Sequence, residues 1–170
     1  MYAMFRGASS FNSDISNWDV SSVTTMRGMF FYALGFNSDI SNWDVSSVTY
    51  MSGMFEVASS FNSNISRWEV ARVTNMEGMF FDASSFNQNL CSWGPKLPSN
   101  FDYDTNAYYM FDNSGCPNPS DPTGPEGPWC AVTTCTAWMT FFVCPMSKVM
   151  CKFHQGSSSL FVINMKKVIQ

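Results

Sequence analysis

The chain has few charged residues, one histidine and no cysteine before Cys91. Charged residues make up 13% of its 170 residues, whereas 45% are hydrophobic and 16% aromatic. A disordered chain is typically rich in charge and poor in aromatics, so this composition indicates a chain that buries a core. His154 is the single histidine, and no glycine-rich phosphate loop or zinc-protease H-E-x-x-H string occurs. We therefore expect a protein that is not an enzyme, with no catalytic residue, cofactor or metal site.

Acidic residues are missing from the C-terminal quarter of the chain. All 13 of them lie at or before Glu126, together with five of the nine lysines and arginines. The first three quarters of the chain are therefore acidic, and their field repels phosphate groups. We expect no nucleic-acid partner.

Long hydrophobic runs are missing as well. The nearest candidate for a membrane span, residues 129–143, is rich in threonine and is followed by Pro145 and Lys148. We expect no transmembrane segment, and the first residues do not form a signal peptide. Met1 leads directly into the middle of a repeated unit, which favours a fragment over a natural start. We expect the open N-terminal edge of such an array to self-associate.

What the chain does contain is a 25-residue period. Residues 4–28 match residues 29–53 at 19 of 25 positions and residues 54–78 at 16 of 25 positions. A fixed period of this length indicates a solenoid, in which each unit completes the core of its neighbours. Tryptophan recurs in the same position of each unit: Trp18, Trp43, Trp68 and Trp93.

Each unit predicts a short strand followed by a helix. Trp18 and Val20 alternate about Asp19, as in a strand with one buried face. Four apolar residues then follow at the spacing of one helical stripe: Met26, Met29, Phe30 and Ala33. The expected fold class is an α/β solenoid, a leucine-rich-repeat-like stack of about four strand–helix units with a parallel sheet, over residues 1–116 with a C-terminal cap.

Stacking predicts columns of equivalent residues. We expect the four tryptophans to lie buried in one column rather than to form a ligand-stacking platform. We expect side-chain amides to link adjacent units through Asn12, Asn37, Asn62 and Asn87. Glycine inside the predicted helix costs about 1 kcal/mol relative to alanine, so its recurrence predicts close approach between successive helices at Gly28, Gly53 and Gly78.

The outward positions of the predicted strands form a candidate binding face. Its residues, the "candidate face" below, are Asn17, Asp19, Asn42, Asp44, Arg67 and Glu69. Asp19, Asp44 and Glu69 would stand in a column about 4.8 Å apart, a repulsion that water, a cation or a basic partner relieves. The partner expected for this face is a protein or a glycan. A passive stalk that binds nothing is the alternative.

A family resemblance supports this interpretation. Residues Met54–Met76 follow the pattern M-F-x-x-A-x-x-F-N-x-x-I-x-x-W-x-V-x-x-V-T-x-M, which resembles the repeat of BspA-like leucine-rich-repeat surface proteins. Residues 86–93 and 110–116 are similar to the closing unit of algal members. The resemblance covers residues 1–116 and implies a cell-surface or secreted protein with an adhesion function and no reaction.

The last unit and the tail depart from the repeat. Met79 to Met110 spans 31 residues, and prolines should end the regular pairing. Cys91 and Cys116 flank this irregular unit, and we expect a disulfide between them rather than free thiols if the compartment is oxidising. Residues 117–128 predict an extended proline-rich linker.

Residues 129–170 form a cysteine- and methionine-rich tail, which we leave unassigned and expect to be poorly ordered. The zinc ligands that this tail could offer are Cys130, Cys135, Cys144, Cys151 and His154. Their spacing lacks the paired C-x2-C knuckles of zinc sites, so we do not predict one.

Overall fold

A computed structural model describes residues 1–132 and Cys135, and this part of the chain is a stack of turns. It contains a 3₁₀ helix, Gly94–Lys96, and a single α-helix, Tyr103–Asn106. In place of a sheet, the described residues form two isolated parallel bridges, Thr25 with Tyr50 and Tyr50 with Asn75. The predicted α/β solenoid of leucine-rich-repeat-like strand–helix units with a parallel sheet is therefore wrong.

Backbone hydrogen bonds explain why the predicted helix does not form. Alternate amides donate to the following unit: Met26 N to Tyr50 O, Gly28 N to Ser52 O and Phe30 N to Met54 O, each at 2.9 Å. The amides between them close short turns within the unit, such as Met29 N to Met26 O at 3.0 Å. An α-helix needs every amide to bond four residues back, so a chain that gives alternate donors to its neighbour cannot be helical.

Left-handed residues interrupt each unit at four-residue spacing. Their φ angles lie between +55° and +58° at Gly28, Tyr32, Gly53, Val57, Gly78 and Asp82. Such a residue breaks a right-handed helix, and glycine adopts this conformation without strain. The predicted close approach of successive helices at these glycines is wrong, because all three lie in turns and a Cβ there would meet only side chains: Phe31 at 3.9 Å from Gly28, and the Glu56 carboxylate at 2.8 Å from Gly53 and 3.8 Å from Gly78. Backbone conformation explains the recurrence instead.

The core consists of columns of equivalent side chains. The residues of the predicted helical stripe are all fully buried, as their periodicity indicated: Met26, Met29, Phe30 and Ala33. The Phe30 ring stacks on Phe36 within its unit, at 3.8 Å between centroids, and on Phe55 of the next unit at 5.6 Å. The periodicity therefore predicted burial correctly, although the backbone that achieves it is not a helix.

The tryptophan column is buried over three of its four members. Trp43, Trp68 and Trp93 are at most 4% exposed, whereas Trp18 is 38% exposed. The Nε1 of Trp43 donates to the carbonyl of Ile15 at 3.1 Å, and the next two tryptophans repeat this bond to their own preceding units. The burial prediction is wrong for Trp18, because no preceding unit among the described residues covers its indole.

The predicted asparagine ladder is confirmed. Asn12, Asn37 and Asn62 each accept, through Oδ1, a hydrogen bond from the amide of the equivalent asparagine 25 residues later, at 2.8 to 3.1 Å, and Asn87 ends the series. The ladder lies near the surface rather than in the core. It joins the units along a side of the stack where backbone-to-backbone bonds are sparse.

The long fourth unit keeps the same pairing by looping out its extra residues. Gly78 N donates to Tyr108 O, 30 residues later, where the earlier units use an offset of 24. The six inserted residues are accommodated in the region of the two short helices, and Pro95 is the second residue of the 3₁₀ helix. The pairing of Thr24, Thr49 and Thr74 has no further member among the described residues, so the expected end of regular pairing near the prolines is correct on that side of the stack only.

Residues 117–132 pack back on the last unit instead of extending as a linker. The Asp121 carboxylate accepts hydrogen bonds from the amides of Tyr109 and Met110, at 2.8 and 2.7 Å. Leu90 N donates to the carbonyl of Trp129 at 2.9 Å, and the Trp129 side chain is fully buried. This segment therefore completes the C-terminal end of the core.

The disulfide pairing follows from this return of the chain. Cys91 is bonded to Cys135 and Cys116 to Cys130. The predicted Cys91–Cys116 disulfide is wrong. Trp129 packs beside Leu90, and this brings Cys130 and Cys135 close to the two cysteines of the last unit. The rest of the tail, with the remaining zinc candidates and most of residues 129–143, lies outside the described residues. Neither helix in the described part of the chain could reach across a bilayer.

Candidate binding surfaces

The structure leaves the whole candidate face exposed. Its members are Asn17, Asp19, Asn42, Asp44, Arg67 and Glu69, and each is accessible to solvent. Trp43 and Val45, which alternate with two of them, are buried. The predicted separation into inward and outward positions is thus correct, although these residues are in turns and not in strands.

The aspartates of this face are already engaged in local turns. Asp19 Oδ1 accepts hydrogen bonds from Ser21 N at 3.0 Å and from Ser21 Oγ at 2.6 Å. Asp44 accepts from Ser46 N at 3.0 Å. These serine bonds hold the pKa of both aspartates below its ordinary value. The carboxylates therefore have a structural role that needs no ligand.

The acidic column of the candidate face ends in a cation. Lys96 Nζ lies 3.6 Å from the Glu69 carboxylate and donates to the carbonyl of Trp68 at 3.0 Å. This lysine is the basic group nearest to Glu69 in the described structure, and it relieves part of the repulsion expected from the column. The candidate face consequently offers less unbalanced charge than its sequence indicated.

A second surface, which we call the glycine groove, runs along the stack on the side of the left-handed turns. It encloses about 440 Å³. Its floor follows Ala3, Gly28, Gly53 and Gly78. Its walls are built by two further columns and by Tyr109, and the wall residues are Tyr2, Arg27, Ser52, Glu77, Arg6, Phe31, Glu56 and Phe81. The groove thus presents one residue from each wall column in every unit.

Charge is divided along the glycine groove. Arg6 and Arg27 belong to its first part, and the equivalent positions two units later are Glu56 and Glu77. Partial burial, together with the nearby carboxylates of Glu77 and Asp82, raises the pKa of Glu56, while Arg6 opposes this shift. Neither glutamate forms an ion pair with any of the described residues. The groove therefore has a basic part and an acidic part with unmatched charges.

Aromatic side chains line the wall between these charges. The Arg6 guanidinium carbon lies 4.6 Å from the centre of the Phe31 ring, which is within the range of a cation–π contact. Phe31 and Phe81 are half-buried in the wall. A ligand would thus meet apolar surface and charge together.

The sequence carried a signal for the glycine groove that the strand-based interpretation missed. Residues 11–24 and 36–49 are identical, and this run contains the candidate-face residues of the first two units. The six pairs that differ between these units are 6/31, 7/32, 9/34, 10/35, 25/50 and 27/52. The pairs 6/31 and 27/52 line the groove, and the pair 25/50 lines a shallow depression beside it. The other three pairs follow the wall residues Arg6 and Phe31 within the next four positions of the chain. The groove side is therefore where the first two units diverge, whereas the third unit also changes the candidate face, with Arg67 and Glu69 in place of asparagine and aspartate.

Metal chemistry finds no support in the described part of the chain. Residues 1–132 and Cys135 contain no group of three or more histidine, cysteine, aspartate or glutamate side chains placed to hold a metal ion. The buried side-chain nitrogen and oxygen atoms of this part all have hydrogen-bond partners. The described surface consists of side chains that recur at equivalent positions of the stacked units.

Comparison with known proteins gives a family. Residues 1–119 match the family described as Mycoplasma protein of unknown function, DUF285. The chain belongs to this family. No curated protein and no solved structure gives a significant match. The DUF285 match covers the stacked units and ends just before Asp121, so the segment that closes the last unit lies mostly outside it.

Proposed function

We propose that this DUF285 chain is a non-enzymatic module of a surface or secreted protein that binds a protein or a glycan, and that it is related to the BspA-like adhesins. The observation that supports this proposal most directly is where the amino-acid differences between the first two units lie. Between these two units the buried positions and the candidate face repeat without change, whereas the groove side differs; in the third unit the groove and the candidate face both change. Diversified side chains on a repeated scaffold are typical of binding surfaces in repeat proteins.

The disulfides support a surface or extracellular location. The described residues form two disulfides, and disulfides persist mainly in oxidising compartments. Both of them close the C-terminal end of the stack, where the core lacks a further unit. A protein that works outside the reducing cytosol benefits from such a closure.

The test is a binding screen with the full chain under non-reducing conditions. The immobilised chain is exposed to a glycan array and to purified extracellular proteins, and binding is followed by biolayer interferometry. Two variants then assign the surface: Arg27→Glu with Glu77→Lys on the groove, and Asp19→Asn with Asp44→Asn on the candidate face. We expect saturable binding that the groove variant weakens and the candidate-face variant leaves intact.

Two other outcomes of this screen would change the proposal. Binding lost only in the candidate-face variant would keep a binding function and move it to the surface predicted from sequence. Absence of saturable binding to every glycan and protein would favour the passive stalk and contradict the proposal.

A further inference from the structure

We infer that the glycine groove binds an extended peptide segment that carries an acidic side chain and, about three residues further along, a basic one. This inference rests on the proposed binding function and specifies its ligand and its surface. It depends on three observations: the order of charge along the groove, the distance between the charges, and the nature of floor and walls.

Charge order gives the ligand its polarity. The arginines occupy the first part of the groove in both wall columns, and the glutamates occupy the same columns two units later. Because both columns change sign in the same direction, the groove has a basic end and an acidic end. A ligand with an acid over Arg6 and Arg27 and a base over Glu56 and Glu77 would satisfy both ends at once.

The distance between the charges selects the spacing in the ligand. Hydrogen-bonded chains lie about 4.8 Å apart, so two unit steps correspond to roughly 10 Å. An extended peptide advances about 3.4 Å per residue, so side chains three residues apart cover the same distance. A pair of opposite charges at adjacent positions is too close together, and a pair six residues apart is too far apart.

Floor and walls favour a peptide backbone over a bulky ligand. Gly28 carries no side chain, and a Cβ there would meet only Phe31 at 3.9 Å, so a ligand backbone can approach this turn closely. Above Gly53 and Gly78 the Glu56 carboxylate covers the floor, since an added Cβ would lie 2.8 and 3.8 Å from its Oε2. Phe31 and Phe81 provide apolar contacts in the wall. A peptide side chain that carries a cation can thus reach Glu56 while its backbone stays near the glycines.

The same features disfavour the other ligand classes. A neutral glycan uses neither charged end, and an acidic glycan long enough to fill the groove would place negative charge near Glu56 and Glu77. A repeated ligand with one sign of charge matches only half of the groove. A dipolar peptide is therefore the ligand that the arrangement fits best.

The experiment measures peptide binding by fluorescence anisotropy with the full chain at physiological ionic strength. Octapeptides carry one glutamate and one lysine in a serine–valine background, separated by one, three or six positions, in both orders. We expect one order at a separation of three to bind about tenfold more tightly than the reversed order, as two charge contacts become two repulsions.

A charge-swap variant makes the test independent of folding. A fourfold variant, Arg6→Glu, Arg27→Glu, Glu56→Lys and Glu77→Lys, exchanges the charges of both wall columns and should bind the reversed peptide better than the original one. Arg72→Glu with Glu126→Lys exchanges charges of the same kind at exposed positions outside the groove and should keep the original preference. Gain of binding to the reversed peptide cannot come from a misfolded protein.

Each contrary result has a distinct meaning. Equal affinity for both orders, or an unchanged preference in the fourfold variant, would overturn the peptide inference. If the chain binds a glycan or a protein but no peptide of either order, this inference fails while the proposed binding function stands. If it binds neither ligand class nor any peptide, both fail.

Discussion

The indole Nε1 of Trp68 donates a hydrogen bond of 3.1 Å to the backbone carbonyl of Ile40, 28 residues earlier in the chain. Trp43 and Trp93 make the same bond to their own preceding units. The indole therefore fills the core of one unit and satisfies an acceptor of another. This double contact makes the tryptophan column a major source of cohesion between units.

Removing a buried tryptophan should cost much more than removing the exposed one. We expect Trp43→Ala to lower the free energy of unfolding by about 3–5 kcal/mol, because a large cavity forms and the Ile15 carbonyl loses its donor. Trp18→Ala should cost clearly less, since the side chain is 38% exposed. Denaturant unfolding under non-reducing conditions measures both, and equal losses would contradict the burial described here.

A left-handed glycine should resist substitution. Gly28 has a φ of +58°, and a Cβ there would lie 3.9 Å from its nearest neighbour, so Gly28→Ala should destabilise the protein by about 1–2 kcal/mol through backbone strain alone. Gly124→Ala is the matched control, because a Cβ at Gly124 would contact nothing within 4 Å and its backbone is outside the left-handed region. We expect the control to remain within about 0.5 kcal/mol of the wild type. Thermal melting followed by circular dichroism distinguishes the two.

Acid should destabilise the protein through the turn aspartates. Serine hydrogen bonds lower the pKa of Asp14, Asp19, Asp39 and Asp44 in the folded state. The stability that they contribute is therefore present above the pKa of the unfolded chain and is lost as the pH falls through the lowered folded values. Converting all four to asparagine keeps the acceptor oxygen and removes the titration. We expect the melting temperature of this variant to fall less on acidification, and parallel curves would count against the assignment.

Self-association through the N-terminal edge remains a prediction. Met4 and Trp18 are 53% and 38% exposed at this edge, and Trp18 Nε1 has no acceptor among the described residues. We expect Met4→Lys with Trp18→Lys to shift the chain toward the monomer in light scattering at tens of micromolar. Tyr32→Lys with Leu34→Lys changes comparably exposed residues away from the edge and should leave association unchanged. If the wild-type chain is a monomer in the same light-scattering measurement, the prediction is wrong.

Much of the core could be predicted from the sequence, but the path of the backbone could not. Burial of Met26, Met29 and Phe30 followed from their spacing, which suits both a helix and a series of short turns. Hydrogen-bond partners decide between these, and residue spacing does not specify them. The recurrence of glycine at Gly28 and Gly53 was the one local signal against a helix, because each would cost about 1 kcal/mol there.

Neither the disulfide pairing nor the glycine groove was predicted from the sequence, for different reasons. Six cysteines allow fifteen complete pairings, and the observed ones depend on how Trp129 packs beside Leu90. The groove lies on the side that was predicted to be helical, so its wall residues were not considered as one surface. The difference between Arg27 and Ser52 could have indicated it without any structure.

The fixed offset of the hydrogen bonds between units has a consequence for how such a gene can change in length. Deleting residues 29–53 would join positions that already occupy equivalent places, so every bond across the junction could form again and the closure by Asp121 would be untouched. An insertion of another size keeps the donors opposite their acceptors only where the extra residues loop out between two paired segments, as they do in the fourth unit. The array can therefore grow or shrink by whole units, and the groove would gain or lose one step each time.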